Sequence, residues 1–141
     1  MPAISEVLIN SQTHPSLNVD PITVTGDPVK GDGYYGWGDG VHTVGVELTG
    51  FVGDILIQAT LETDPTTDDW FTVPLLLTES DQFSVDTTGL VSKITNTSQF
   101  LQFTTTTTTV KVYNFIGNFV WIRGIIDNWT AGTVNRILFN H

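Results

Sequence analysis

Alternation of apolar and polar residues constrains this chain more than any other feature. In the segment 42–48, Val44, Val46 and Leu48 fall on one side of an extended strand, and polar or small residues fall on the other. The segment 55–61 repeats the pattern after a glycine-containing turn predicted at 50–54. A period of two residues is the signature of β-strands, so the chain is predicted to be all-β.

Further strand signals continue to the C-terminus. The acidic segment 63–69 is built from turn formers, and 70–73 returns from it as the partner of 55–61. Other strands are predicted at 82–85, 88–94, 97–112, 119–126 and 133–139, with no convincing helix between them. The pattern predicts an antiparallel β-sandwich or jelly roll of about seven to nine strands.

Residues 1–33 differ from the sandwich domain predicted at 34–141. Four prolines fall within them at spacings too short for a long helix. We therefore expect an extended N-terminal arm with a short strand at 22–25, and a short helix through Ile4, Val7 and Leu8 is the alternative. The arm has too few apolar residues to fold alone, so it must pack either on its own domain or on a neighbouring molecule.

Composition excludes several classes of function. The 141 residues carry fifteen acidic and five basic side chains, and a formal charge of −10 with scattered basic residues argues against binding nucleic acid. The absence of cysteine excludes disulfides and thiolate chemistry. No segment has the length of a membrane span, and the N-terminus lacks the pattern of a signal peptide, so we expect synthesis in a cytoplasm and no membrane partner.

No motif for catalysis or for a cofactor stands out. No serine lies in a nucleophile elbow, and the three histidines are too far apart in sequence to suggest a metal site. Asp64, Asp68 and Asp69 form a weak candidate for Ca²⁺, whose alternative is a solvated acidic loop. We therefore expect no enzyme and no cofactor.

Three features are candidates for contact with a partner. The first is the glycine-rich loop 30–40, which lacks the flanking elements of a phosphate cradle and presents Tyr34, Tyr35 and Trp37. The second is the threonine run 104–109, in which Thr104, Thr106 and Thr108 suggest an edge or subunit-contact strand. The third is Trp129, which together with the loop aromatics could stack on a sugar.

Part of the sequence resembles small β-sandwich structural proteins of tailed-phage virions. The resemblance covers about 90 residues: an apolar strand at 56–62, an acidic tip at 64–69, Trp70-Phe71, then 117–123 and 132–139. It implies a non-enzymatic virion component that is made in the bacterial host cytoplasm. A capsid decoration or cement protein is the first expectation, and a tail, neck or fibre-base module is the alternative.

The resemblance also implies partners. Such proteins are usually multimeric, so we expect a homo-oligomer, with a trimer as its form, that contacts other virion proteins such as the major capsid or tail proteins. A carbohydrate-binding module remains a different class of function. It would use exposed Trp and Tyr side chains to bind a host-surface glycan.

Overall fold

The computed structural model describes residues 5–15, 21–36, 40–77, 82–85, 88–89, 91–94, 97–98 and 100–140. The strands are β1 (Ser5–Ile9), β2 (Gln12–Thr13), β3 (Ile22–Thr25), β4 (Val29–Lys30), β5 (Val41–Thr60), β6 (Phe71–Thr72), β7 (Leu75–Leu77), β8 (Gln82–Val85), β9 (Val91–Ile94), β10 (Thr97–Ser98), β11 (Leu101–Ile116) and β12 (Trp121–Asn140). A one-turn helix, α1, spans Asp32–Tyr35, and a 3-10 helix spans Thr67–Asp69.

The fold is all-β and antiparallel, as predicted. The main sheet has the order β1-β12-β5-β11-β7-β10, and β8 and β9 form a separate hairpin. Its centre is the pairing of β5 with β12, which runs from Thr60 opposite Trp121 to Thr43 opposite Asn140. On the other side of β5, β11 pairs from Leu101 opposite Ile55 to Ile116 opposite Val41.

The N-terminal arm lies on its own chain. Each of its strands β1 to β4 pairs with β12, from the C-terminal end of β12 to its start. The strand predicted at 22–25 is confirmed as β3, and Val7 and Leu8 lie in strand β1, so the helical alternative is wrong. The short strands suit an edge, because prolines and breaks limit the pairing that an edge strand can offer to other chains.

All three long strands bend at the same level of the sheet. The ladder is irregular between Phe103 and Thr107 of β11 and between Asp127 and Ala131 of β12. Opposite them, Gly50 of β5 has a φ of 59°, and a Cβ on Gly132 of β12 would overlap the Gly50 carbonyl. The turn predicted at 50–54 is therefore wrong: β5 continues through a bulge, which bends a strand without ending it.

The bulge also keeps one face of β5 turned inward. Val44, Val46 and Leu48 are buried before the bend, whereas the buried apolar side chains after it stand at odd-numbered positions, beginning with Phe51 and Ile55. Side chains from both sides of the bend join one hydrophobic core. The sheet thus folds over on itself, which gives the layered packing of a sandwich from continuous strands.

Among the described residues, no helix has the length and apolar character needed to cross a membrane.

Candidate functional site

Trp129 belongs to the core and not to the surface. Its side chain is 1 % exposed, its ring lies 6.3 Å from that of Phe51, and His14 contacts it edge-on at 5.4 Å. The indole Nε1 donates a hydrogen bond to the carbonyl of Ala131, which satisfies its polar atom inside the core. The prediction that Trp129 contacts a partner or a sugar is therefore wrong.

The tyrosines of the glycine-rich loop do lie at the surface. Tyr34 and Tyr35 are 43 % and 40 % exposed, and Lys30 lies 4.4 Å above the Tyr34 ring. The Tyr34 ring also packs edge-on against Trp121 at 5.3 Å. The backbone fixes this segment, because the Gly33 amide donates to the carbonyl of Phe119. Trp37, the third predicted contact residue, lies outside the described residues.

A groove of about 470 Å³ opens beside Trp121. Its lining consists of Pro28, Thr63, Asp64, Pro65 and Trp121. The indole Nε1 of Trp121 donates to the carbonyl of Thr63 at 2.9 Å, which fixes the ring against the wall of the groove. The result is an apolar surface with one carboxylate and one hydroxyl at its rim.

The neighbouring Trp70 is already covered by a cation. The Arg123 guanidinium stacks 4.2 Å from the centre of the Trp70 ring, and its Nε donates to Gln58 at 2.9 Å. Burial lowers the pKa of Arg123. Trp121, rather than Trp70, is therefore the indole at this end of the molecule that borders open space.

The three aspartates predicted as a weak calcium site lie in the loop between β5 and β6, where one of them caps the 3-10 helix. Asp69 Oδ2 accepts hydrogen bonds from the Thr66 amide at 2.6 Å and from the Thr66 hydroxyl at 2.9 Å, which caps the 3-10 helix. Asp64 and Asp68 are exposed. The described residues contain no group of three or more His, Asp or Glu placed to hold an ion. Asp64, Asp68 and Asp69 therefore do not form the candidate Ca²⁺ site.

The threonine run lies where β11 bends, and no described strand pairs with the outer side of the run. Thr104, Thr106 and Thr108 are exposed, and the only pairing described on the outer side of β11 is with β7, at Tyr113 and Asn114. The Thr108 hydroxyl accepts a hydrogen bond from the Gly50 amide at 2.9 Å, and the Thr107 hydroxyl donates to the carbonyl of Thr105 at 2.8 Å. The predicted edge position fits the described pairing of this part of β11, although β11 as a whole lies between β5 and β7. Two hydroxyls replace ladder bonds lost at the bend. A subunit contact through these threonines stays a prediction.

A broad, regular surface lies on the outer side of the sheet, on the Val41 side of the bend. We call it the outer face. It consists of Ser5, Val7, Val41, Thr43, Gly45, Glu47, Val110, Val112, Asn114, Ile116, Arg136, Leu138 and Asn140. Strand register places these residues in rows that run across neighbouring strands.

The rows of the outer face differ in chemistry. One row is apolar and runs through Val112, Gly45, Leu138 and Val7. The next row is polar: the Thr43 hydroxyl donates to Asn114 at 2.9 Å, and Asn140 donates to Ser5 at 3.0 Å. Five apolar side chains of this face are exposed, by 43 % to 66 %: Val7, Val41, Val110, Val112 and Ile116. An exposed apolar group of this kind is typical of a contact surface.

The charged residues of the outer face neutralise each other. Arg136 Nε donates to Glu47 Oε2 at 2.8 Å, and its second contact to the same carboxylate measures 3.2 Å. This hydrogen bond, and then the negative charge of Glu47, raise the pKa of Arg136. The face therefore carries no net charge on a chain whose formal charge is −10.

His42 is buried, and the sequence analysis did not predict this. Its ring packs nearly parallel to those of Phe115 and Phe139, with centroid distances of 4.8 and 5.4 Å, and it is fully buried. The backbone amide of buried Asp32 donates to His42 Nε2 at 3.5 Å. Alternation along the strand could have indicated this burial, because His42 shares the inward face with Val44 and Val46.

Comparison with known proteins identifies a relative by fold. No protein-family model matches the chain, and no curated protein matches it in sequence. Among solved structures, the chain is similar to the SPBc2 prophage-derived protein YomS, with a TM-score of 0.57 and 11 % identity. The match covers 99 % of this chain and 91 % of that one. The likeness is one of fold.

Proposed function

We propose that this chain is a non-enzymatic structural protein of a tailed-phage virion, with capsid decoration or cementing as its role. It acts as a homo-oligomer, needs no cofactor, and reaches the particle from the bacterial host cytoplasm. The observation that carries the proposal is the outer face, which is open, largely apolar and without net charge on a strongly acidic chain.

The distribution of charge supports this role. Residues 87–126, which include all of β11, contain no Asp or Glu, although the chain has fifteen acidic residues. Acidic surfaces repel one another, whereas a neutral apolar face can be covered by another protein without that cost. The fold adds support, because a chain of nearly the same extent and similar fold is a prophage-derived protein.

Particle composition tests the proposal. Purified virions of the source phage are analysed by quantitative mass spectrometry, and we expect this chain at a copy number close to that of the major capsid protein. A few copies per particle would favour the tail, neck or fibre-base alternative. Absence from purified particles would contradict any virion role.

Rebinding of the purified protein to particles that lack it tests which surface of the protein contacts the particle. We expect Val112→Asp to bind weakly, because it places a charge in the apolar row. Leu61→Asp is the matched control: Leu61 is 65 % exposed and lies outside the outer face. Equal binding of the two variants would contradict the role of the outer face.

A second candidate function is carbohydrate binding at the Trp121 groove. It is favoured by the fixed indole, the flanking prolines and the carboxylate of Asp64 at one rim. Sugars stack on aromatic rings, and their hydroxyl groups donate hydrogen bonds to carboxylates. A glycan array read with wild type and Trp121→Ala tests it. Phe71→Ala, which removes an aromatic ring that is 41 % exposed, is the control. Binding that survives Trp121→Ala, or no binding at all, contradicts this candidate.

A further inference from the structure

Gly45 lies in the middle of the outer face, and the residues that the structure describes give no steric or conformational reason for a glycine there. It is a β5 residue paired on both sides, with Val112 of β11 and with Leu138 of β12. Its φ is not among the positive values that favour glycine. A Cβ built on it would meet no atom of the described residues within 4 Å. The monomer would therefore accept a side chain at this position.

A glycine inside a regular strand normally weakens it. Glycine loses more backbone freedom on folding than other residues, and it offers no side chain to pack against its neighbours. Where no bulge or turn requires it, a glycine in a strand often marks the close approach of another molecule. Gly45 fits that description, whereas Gly50 and Gly132 are explained by the bend.

The side chains around Gly45 form a shallow apolar depression. Val112 and Leu138 flank it within one row, and Val7 lies beyond Leu138. Val7 and Val112 are 44 % and 43 % exposed. The depression can accept an apolar side chain, which would lose contact with water and pack against both flanking residues.

The chemistry of the face favours a second copy of this chain as the occupant. Two copies of a chain with a charge of −10 repel each other unless they meet through an uncharged region. The outer face provides one, because Arg136 and Glu47 are paired. Ser, Thr and Asn of the polar row each donate and accept hydrogen bonds, so this row is complementary to itself.

We propose that the outer face is the self-association surface of this protein, with a side chain of a second copy seated over Gly45. The inference rests on the homo-oligomeric state contained in the proposed function. A face that meets its own equivalent is related to it by a two-fold axis, so this contact alone produces a dimer.

The experiment compares Gly45→Arg with Thr104→Arg. Both add one positive charge on a strand, at half-buried Gly45 and at exposed Thr104, but Thr104 lies at the bend, outside the outer face. Sedimentation equilibrium between about 1 and 100 µM measures association, and circular dichroism confirms the fold. We expect wild type and Thr104→Arg to dimerise. We expect Gly45→Arg to raise the dissociation constant of the dimer by a factor of about ten or more. A closed trimer would contradict the two-fold contact, because its subunits meet through two different surfaces.

A monomeric wild type at the highest concentration, or equal dissociation constants for wild type and Gly45→Arg, would overturn the inference. A monomer that is still found in virions overturns the self-contact and the homo-oligomeric state, and leaves the proposed virion role standing. Because the chain has no cysteine, Gly45→Cys gives a second readout. We expect alkylation of its thiol to slow as protein concentration rises, and alkylation of Thr104→Cys to stay constant. Equal behaviour of the two thiols would also overturn the inference.

Discussion

Gly45 and Gly132 lie in neighbouring strands of one sheet, yet they are glycines for opposite reasons. Gly132 has a φ of 86°, and a Cβ on it would collide with the Gly50 carbonyl. Gly45 has neither constraint, and the space above it is open among the described residues. The first glycine is required by the fold of the chain itself. The second is not required by any residue that the structure describes, and a contact with a second copy is the explanation proposed above.

The same contrast separates the two regions around these glycines. At the bend, threonine hydroxyls form hydrogen bonds with the backbone, and Trp129 fills the inner corner. These side chains therefore make their contacts within the chain. On the outer face, regular strands present apolar side chains to solvent. Changes at the bend should therefore alter stability, and changes on the outer face should alter association.

The largest loss of stability is expected for Trp129→Ala. Trp129 is 1 % exposed and contacts Phe51 and His14 at the inner corner of the bend, so truncation leaves a large cavity. We expect the free energy of unfolding to fall by about 3–5 kcal/mol. Urea denaturation followed by circular dichroism measures it, with the exposed Tyr35→Ala as control. Equal losses for the two variants would contradict the placement of Trp129 in the core.

Gly132→Ala is expected to have the next largest effect. The added methyl group overlaps the Gly50 carbonyl, and the positive φ is unfavourable for alanine. Together these should lower the free energy of unfolding by about 2–4 kcal/mol. Gly45→Ala is the matched substitution in the same sheet and should cost nothing. A similar loss at both positions would remove the distinction between the two glycines.

Thr108→Val tests the hydroxyl that bridges the bend. It keeps the shape of the side chain but removes the acceptor for the Gly50 amide, which is bonded at 2.9 Å. We expect a loss of about 0.5–1.5 kcal/mol in thermal or urea unfolding. Thr104→Val is the control, because the Thr104 hydroxyl has no hydrogen bond to any residue that the structure describes. If the control is destabilised as much, the threonines act through β-propensity or solubility and not through this bond.

Alternation in sequence predicted which segments are extended, but neither the bend nor the length of every strand. The strands predicted at 119–126 and 133–139 are one strand, β12, and the strand predicted at 97–112 is divided into β10 and β11. The strand at 82–85 and the pairing of 71–72 with 58–59 follow from local pattern and turn residues, and both are confirmed. Glycines such as Gly50 and Gly53 are typical of turns and of bulges alike. The local sequence therefore does not distinguish the two, and a turn was predicted. Only the matching irregularities in β11 and β12 distinguish the two, and these lie far away in the chain.

The outer face could not be predicted for a related reason. Its apolar row joins Val7, Gly45, Val112 and Leu138, which come from four strands distributed along the whole chain. Register between distant strands determines such a row, and one residue of slip would move every member to the other face. Single residues such as Trp129 attracted attention in the sequence because aromatic residues suit contact surfaces, but aromatic residues suit cores equally well.

The smallest expected effect, at Gly45→Thr, is also the one that separates the two regions most sharply. A threonine fits the open space, and β-branched residues favour strands, so the isolated monomer should gain about 0.5–1 kcal/mol. In the dimer the same side chain occupies the depression between Val112 and Leu138 and should weaken association. Unfolding measured over a series of protein concentrations should therefore show Gly45→Thr more stable than wild type when dilute, with the advantage shrinking as concentration rises. An advantage that is independent of concentration would mean that nothing approaches Gly45, and a loss at all concentrations would mean that the chain itself requires this glycine, as it does Gly132.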